Sequence, residues 1–146
     1  MCGILGTWSK APLNEDLVRQ MMDSIKHRGP DGEGLLSPAE NLTFGHVRLS
    51  IIDLKQGHQP MQTSNKDYTI VFNGEIYNYI ELQKVLSKDG ISLQTNSDTE
   101  VLLYMYQIYG EKMLQQLNGM FAFAIYDKKK DIVFAARDHF GIKPFY

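Results

Sequence analysis

The sequence has one cysteine, four scattered histidines and no long apolar run, and each shortage narrows the function. A single cysteine can form neither an internal disulfide nor a cysteine-cluster zinc site, and it fits a reducing compartment. No two histidines stand four residues apart, the spacing that a helical metal site would need. We therefore expect no metal site, and we expect the protein to be cytoplasmic.

The chain also lacks an excess of charge of either sign. Its formal net charge is -2, and its lysines and arginines are dispersed, so nucleic acid is not an expected partner. The apolar runs are too short to cross a bilayer, and the N-terminus lacks the charged-then-apolar order of a signal peptide. We expect no membrane association. With 43% hydrophobic residues among 146, the sequence predicts one folded domain over residues 1–146.

The spacing of apolar residues predicts helices that alternate with strands. The first helix begins at Asn14 as N-cap and ends before the turn-rich segment 28–32. Its apolar stripe is Leu17, Val18, Met21, Met22 and Ile25. A second helix is expected over 79–88, a third from the capping-box segment 97–100 to Gly110, and a short one over 113–117. The expected strands are 4–8, 42–52, 68–72, 121–126 and 132–136.

The strand at 121–126 is apolar on both of its faces. Phe121, Phe123 and Ile125 point one way, while Ala122, Ala124 and Tyr126 point the other. Both faces must therefore be covered. The pattern favours a sheet packed between a second sheet and helices.

Cys2 is the strongest candidate for a catalytic residue. If Met1 is removed, the thiol and a free α-amino group belong to one residue, and an α-amino pKa of about 7.7–8.0 suits a general base. The simpler interpretation is a small buried hydrophobic residue. A Cys–His hydrolase that uses His27 or His46 is a further alternative, although it makes no use of the terminal position.

Three other segments each allow a structural and a chemical interpretation. Asn73-Gly74 is a strong hairpin signal, yet the residues after it lead into a helix, and an amide beside a glycine N–H offers two donors to an oxyanion. Arg48 ends a strand, where it suits either an ion pair or a substrate carboxylate. Asp98 lies in the first turn of a helix, where it suits either the helix dipole or a substrate ammonium group.

Seven segments occur together in one order along the chain. They are Cys2-Gly3-Ile4, 27–32 (HRGPDG), 48–53 (RLSIID), 72–78 (FNGEIYN), 97–100 (SDTE), 119–127 (GMFAFAIYD) and 137–144 (RDHFGIKP). Together they resemble the class II glutamine amidotransferases, whose glutaminase is an N-terminal-nucleophile hydrolase, and among these the asparagine-synthetase branch. The resemblance runs from end to end.

This resemblance implies a role for each matching residue. The Cys2 thiolate would attack the side-chain amide of glutamine, with Asn73 Nδ2 and the Gly74 N–H around the oxyanion. The implied substrate-binding residues are Arg48 for the α-carboxylate, Glu75 and Asp98 for the α-ammonium, and the backbone near Leu49 and Ile51. Glutamate and ammonia would be the products.

The resemblance also implies a fold, and it indicates what this chain does not contain. The expected class is α+β, a four-layer αββα sandwich that is incomplete at its C-terminus. The ATP-binding Ser-Gly-Gly loop of the synthetase domain does not occur in the sequence. The domain itself is expected to need no cofactor, since ATP and magnesium belong to the synthetase domain.

The resemblance leaves the partners and two alternatives open. The expected partners are glutamine and a synthetase domain or chain, and a homodimer is compatible with the family. One alternative is a non-catalytic module that binds glutamine or docks on a synthetase. The other is an amidotransferase with a different ammonia acceptor.

Overall fold

The computed structural model describes residues 2–11, 13–49 and 57–146, which form seven strands and three α-helices. The strands are β1 (Gly3–Trp8), β2 (Gly32–Ala39), β3 (Leu42–Arg48), β4 (Met61–Gln62), β5 (Tyr68–Ile76), β6 (Gly119–Asp127) and β7 (Ile132–Arg137). The helices are α1 (Glu15–Ile25), α2 (Tyr79–Lys88) and α3 (Asp98–Tyr109), and 3-10 segments cover Lys26–Arg28 and Gly110–Gln116. None of the described helices is long and apolar enough to cross a membrane.

The strands form two antiparallel sheets in the orders β1-β3-β2 and β4-β5-β6-β7. The sheets face each other through β1 and β3 on one side and β5 on the other. Helix α1 packs on the first sheet, α3 packs on the second, and α2 packs on α3. The layer order is helix, sheet, sheet, helix, which confirms the predicted αββα sandwich.

The two faces of β6 contribute to two separate cores, as the sequence predicted. Phe121, Phe123 and Ile125 belong to the large core between the second sheet and its helices. Ala124 and Tyr126 belong to a smaller core between the two sheets. The apolar content of both faces therefore follows from burial on both sides.

Helix α1 begins as predicted, but its buried stripe is narrower than expected. The Asp16 N–H donates to Asn14 Oδ1 at 2.8 Å, which makes Asn14 the N-cap. Val18 and Met22 are buried, whereas Leu17 and Met21 are 47% and 37% exposed. Only one line of α1 side chains reaches the sheet, so the apolar stripe of the sequence is broader than the buried face of the helix.

Strand boundaries are where the sequence prediction differs most from the structure. Strand β2 was not predicted because its glycines and proline are typical of turns, and β4 has only two residues. Strand β5 continues to Ile76, whereas the prediction ended it at Phe72. The predicted strand 42–52 is confirmed as far as Arg48, and residues 50–56 lie outside the described part of the chain.

The start of α3 is held by several hydrogen bonds. Ser97 is the N-cap, and its Oγ accepts from the Glu100 N–H at 3.2 Å. The Glu100 carboxylate accepts from the N–H groups of Gln94 and Thr95 instead of reaching back to Ser97. The predicted capping box is therefore half formed. The Ser97 side chain caps the Glu100 N–H, but the Glu100 side chain does not cap the Ser97 N–H. The Ser97 cap places Asp98 at the first position of a well-anchored helix.

Candidate active site

A cavity of about 170 Å³ brings together residues from both sheets and the start of α3. The first sheet and the residues that flank its strands contribute Cys2, His46, Arg48 and Leu49. The second sheet contributes Phe72, Asn73, Gly74, Glu75 and Met120, and the other lining residues are Gly57, Gln59, Ser97, Asp98, Thr99 and Lys143. All of the predicted site residues line this cavity except Ile51, which lies outside the described residues.

Cys2 precedes β1, where antiparallel pairing with β3 brings it beside the end of β3. The thiol lies between the backbone groups of Leu49, whose N–H donates to Sγ at 3.3 Å and whose C=O accepts from it at 3.5 Å. The Arg28 Nε donates to the Cys2 carbonyl at 3.1 Å. Gly3 permits this approach, because an added Cβ would lie 2.8 Å from the Val47 side chain. These contacts fix the position of Cys2 in the lining of the cavity.

The open edge of β5 presents the Gly74 N–H to the same cavity. The Phe72 N–H donates to Gln59 Oε1 at 2.6 Å, and the Ile76 N–H donates to Asp98 Oδ2 at 3.1 Å. Alternate peptides of a strand face the same edge, so the Gly74 N–H lies between these two and faces the same side. A Cβ on Gly74 would lie 2.7 Å from the Phe121 Cα, which explains why glycine is needed here.

Asn73 lies on the face of β5 that is turned toward the first sheet. Its backbone pairs with Ala122 of β6, and its side chain is only 3% exposed and lines the cavity. The hairpin turn considered for Asn73-Gly74 is therefore wrong, because both residues lie inside a paired strand. The side chain of Asn73 and the backbone of Gly74 both line the cavity, and their action as a pair of oxyanion donors stays a prediction.

Asp98 and Glu75 bring carboxylates to the opposite side of the cavity from the first sheet. Asp98 is 5% exposed, and its pKa is raised to about 6, chiefly by burial, with the charge of Glu75 adding to the effect. The hydrogen bond from the Ile76 N–H opposes this rise. A buried carboxylate beside a second acid is costly to ionise, and a cationic group placed there would relieve that cost.

The lining of this cavity thus includes a thiol, a guanidinium group, two carboxylates, an amide side chain and the Gly74 backbone. A profile of the glutamine amidotransferase domain family matches residues 1–146, the whole chain. The chain belongs to this family.

Curated relatives of this amidotransferase domain include asparagine synthetases. The chain is 48% identical to the glutamine-hydrolyzing asparagine synthetase 1 of Bacillus subtilis (strain 168), covering 100% of the chain and 24% of that relative. It is 40% identical to asparagine synthetase B of Escherichia coli (strain K12), covering 100% of the chain and 26% of the relative. The chain thus spans about a quarter of the length of these proteins.

Two solved structures share the fold of this chain. The glutamine phosphoribosylpyrophosphate amidotransferase of Bacillus subtilis, complexed with ADP and GMP, superposes with a TM-score of 0.76 at 23% identity, covering 94% of this chain and 37% of that one. A structure described as the allosteric regulatory enzyme of purine biosynthesis gives 0.79 at 22% identity, covering 99% and 38%. At these identities the similarity concerns the fold alone.

The histidines of the amidotransferase domain are poorly placed for a Cys–His mechanism. His46 lines the cavity but is 1% exposed and hydrogen-bonds to the backbone of Phe72. Burial, together with a smaller effect of the Arg48 charge, lowers the pKa of His46 to about 4, so the imidazole is neutral and a weak base. His27 is exposed and lines a different cavity of about 650 Å³ between the sheets.

The sequence did not single out several residues that line the amidotransferase cavity. Gln59 and Thr99 are buried and hydrogen-bonded to each other, and Lys143 is 4% exposed. Gln59 lies between the predicted strands 42–52 and 68–72, where no element was predicted, and Lys143 was noted only as part of the segment 137–144. The one local feature that could have drawn attention to Gln59 is its place directly before Pro60. Their position in the site follows from contacts that are distant in sequence.

Proposed function

We propose that this chain hydrolyses glutamine to glutamate and ammonia, with Cys2 as the N-terminal nucleophile after removal of Met1. The observation that carries the proposal is the single cavity in which Cys2, Arg48, Asn73 and Asp98 meet. Each of these side chains matches a different group of glutamine: the amide carbon, the α-carboxylate, the amide oxygen and the α-ammonium.

The proposed reaction begins with proton transfer from the Cys2 thiol to its own α-amine. The thiolate attacks the amide carbon of glutamine, and the oxygen of the tetrahedral intermediate takes hydrogen bonds from Asn73 Nδ2 and the Gly74 N–H. The protonated amine then gives its proton to the leaving nitrogen, which departs as ammonia. Water attacks the remaining thioester and gives its proton to the amine. The Cys2 thiolate is expelled, and glutamate is released.

Substrate recognition follows from the charges around the thiol. Arg48 is 6% exposed at the end of β3, and its planar guanidinium suits a bidentate contact with the α-carboxylate. Glu75 and Asp98 lie across the cavity, where they suit the α-ammonium group. The Leu49 backbone holds the thiol, and its proposed contact with the substrate, like that of Ile51, stays a prediction.

In the cell, the ammonia would serve a synthetase domain or chain that amidates aspartate, as the names of the relatives suggest. We propose that glutamine hydrolysis itself needs no cofactor and takes place in the cytoplasm. ATP and magnesium would act only in the synthetase, and homodimer formation stays open to measurement. We propose that residues 1–146 form a single glutaminase domain.

The test of this function is glutamate release from glutamine by the folded protein, together with an Arg48→Lys variant. Lysine keeps the charge but loses the bidentate geometry, so we expect the KM for glutamine to rise about 10–100-fold with kcat nearly unchanged. Arg19→Lys is the matched control, because Arg19 only pairs with Glu15 on the exposed face of α1. If wild-type protein that has lost Met1 releases no glutamate, the proposed function is refuted. If the Arg48→Lys variant has an unchanged KM, the role of Arg48 is refuted.

Replacing Asp98 with asparagine is expected to weaken glutamine binding while stabilising the fold. The folded-state pKa of about 6 lies above the usual 3.8, so the carboxylate lowers stability progressively as the pH rises through this range. Asparagine carries no charge and keeps an oxygen for the Ile76 N–H. Above pH 7 we expect the free energy of unfolding to rise by roughly 1–3 kcal/mol.

The same change should raise the KM for glutamine at pH 8 and reduce its pH dependence. In the wild type, the KM should increase as the pH falls through about 6, because protonated Asp98 no longer attracts the ammonium group. Thermal denaturation and steady-state kinetics between pH 5 and 8 measure both effects. Asp23→Asn, on the exposed face of α1, is the control. A variant that binds glutamine as well as the wild type would remove Asp98 from the ammonium site.

A further inference from the structure

Gln59 is a buried residue that contacts three elements of the fold: β5, α3 and β2. Its Oε1 accepts from the Phe72 N–H of β5 at 2.6 Å, and its Nε2 donates to Thr99 Oγ1 of α3 at 3.2 Å. Its backbone lies against β2, where a Cβ on Gly34 would be 3.0 Å from the Gln59 carbonyl carbon. The residue is only 9% exposed, and it lines the cavity that contains Cys2.

The contact with Phe72 replaces a missing strand neighbour. Strand β4 pairs only with Thr69 and Ile70, so the outer edge of β5 has no strand partner there among the described residues. At Phe72, two side chains hydrogen-bond to this edge where a neighbouring strand would otherwise pair. Gln59 accepts from the Phe72 N–H, and His46 hydrogen-bonds to the Phe72 backbone. The next peptide on the same edge is that of Gly74. The hydrogen bonds at Phe72 therefore fix the strand directly before its two oxyanion donors.

The contact with Thr99 reaches the residue directly after Asp98. Both Thr99 and Asp98 are buried in the first turn of α3. One amide side chain thus links the strand that presents Asn73 and Gly74 to the helix that presents the Asp98 carboxylate. A second link comes from Asp98 itself, which accepts from the Ile76 N–H at 3.1 Å.

We propose that Gln59 is a positioning residue that sets the separation between the oxyanion donors and the ammonium-binding carboxylate. The proposal rests on the proposed function, because these two groups must hold the two ends of one glutamine molecule. Glutamine has a fixed number of bonds between its amide carbon and its α-nitrogen. A side chain that ties the two binding groups together therefore determines how well both ends fit at once.

The first experiment measures the bridge without any substrate. In a Gln59→Leu variant, amide hydrogen exchange followed by NMR should show the Phe72 N–H exchanging about tenfold faster or more. The Ile76 N–H, which Asp98 holds, should keep its protection. Equal exchange of Phe72 in the variant and the wild type would overturn the proposal, whether or not the protein hydrolyses glutamine.

The second experiment measures the catalytic consequence. We expect Gln59→Leu to lower kcat for glutamine about 10–100-fold, counted per site that a glutamine-like alkylating agent can label. Gln62→Leu is the matched control, since Gln62 makes the same kind of bond to Thr69 Oγ1 at 3.1 Å but does not line the cavity. Equal kcat values for the Gln59 and Gln62 variants would overturn the positioning role.

A third pair of variants separates the two arms of the bridge and serves if Gln59→Leu does not fold. Thr99→Val removes only the contact with α3, so the KM for glutamine should rise several-fold with kcat nearly kept. Thr99→Ser retains the hydroxyl and should restore the wild-type KM. A KM that is the same in all three proteins would refute the link to Asp98. Failure of the wild type to release glutamate would instead refute the proposed function, and the exchange data would still decide the bridge.

Discussion

Replacing Cys2 with alanine is expected to lower kcat for glutamine hydrolysis by about 10⁴-fold or more. The chain contains no other cysteine, so no second thiol can take over the attack on the amide carbon. The contacts of the sulfur with the Leu49 backbone already fix its position in the cavity, which favours a reactive group over a packing residue. Glutamate release measures the loss, and intact mass establishes that Met1 has been removed from both proteins.

The alanine variant should keep its fold and its substrate. Cys2 is only half-buried and lies just before β1, so little packing is lost. Calorimetry should still detect glutamine binding, because Arg48, Glu75 and Asp98 are unchanged. Wild-type turnover by the alanine variant would exclude the thiol mechanism. Loss of binding along with turnover would indicate that the substitution disturbs the cavity and does not report on the chemistry.

The layers of the fold could be predicted because they depend on local patterns. Helix α3 begins with a clear capping segment, and its bounds agree with the prediction to within a residue or two. The two apolar faces of β6 predicted a sheet covered on both sides, which the two cores confirm. Patterns of period two and of helical period report directly which faces are buried.

The end of β5 could not be predicted, because distant pairing overrides a local signal. Asn73-Gly74 is typical of a hairpin turn, but β6 pairs with β5 along nine consecutive residues and keeps both of them extended. The position of Gln59 in the cavity could not be predicted from the sequence for a related reason. Its partner Thr99 lies 40 residues further along the chain, and no local spacing indicates that contact.

After Cys2 itself, Asn73 is expected to make the largest contribution of any residue in the site to kcat for glutamine hydrolysis. Replacing Asn73 with alanine removes one of the two proposed oxyanion donors, and the loss of one such donor is expected to lower kcat by about 10²–10³-fold. The KM for glutamine should change little, because the donor acts mainly on charge that develops in the transition state. The backbone pairing of residue 73 with Ala122 does not depend on the side chain, so β5 should remain intact.

Val71→Ala is the matched control for Asn73→Ala, because it shortens a buried side chain on the same face of the same strand. Val71 packs in the core between the sheets and does not line the cavity that contains Cys2. We expect this control to lose stability while each folded molecule keeps its kcat. Comparing kcat with thermal stability for the two variants therefore separates lost packing from a lost donor. If Asn73→Ala reduced stability but left kcat near the wild-type value, Asn73 would be a structural residue, and the oxyanion site would have to be sought elsewhere around Cys2.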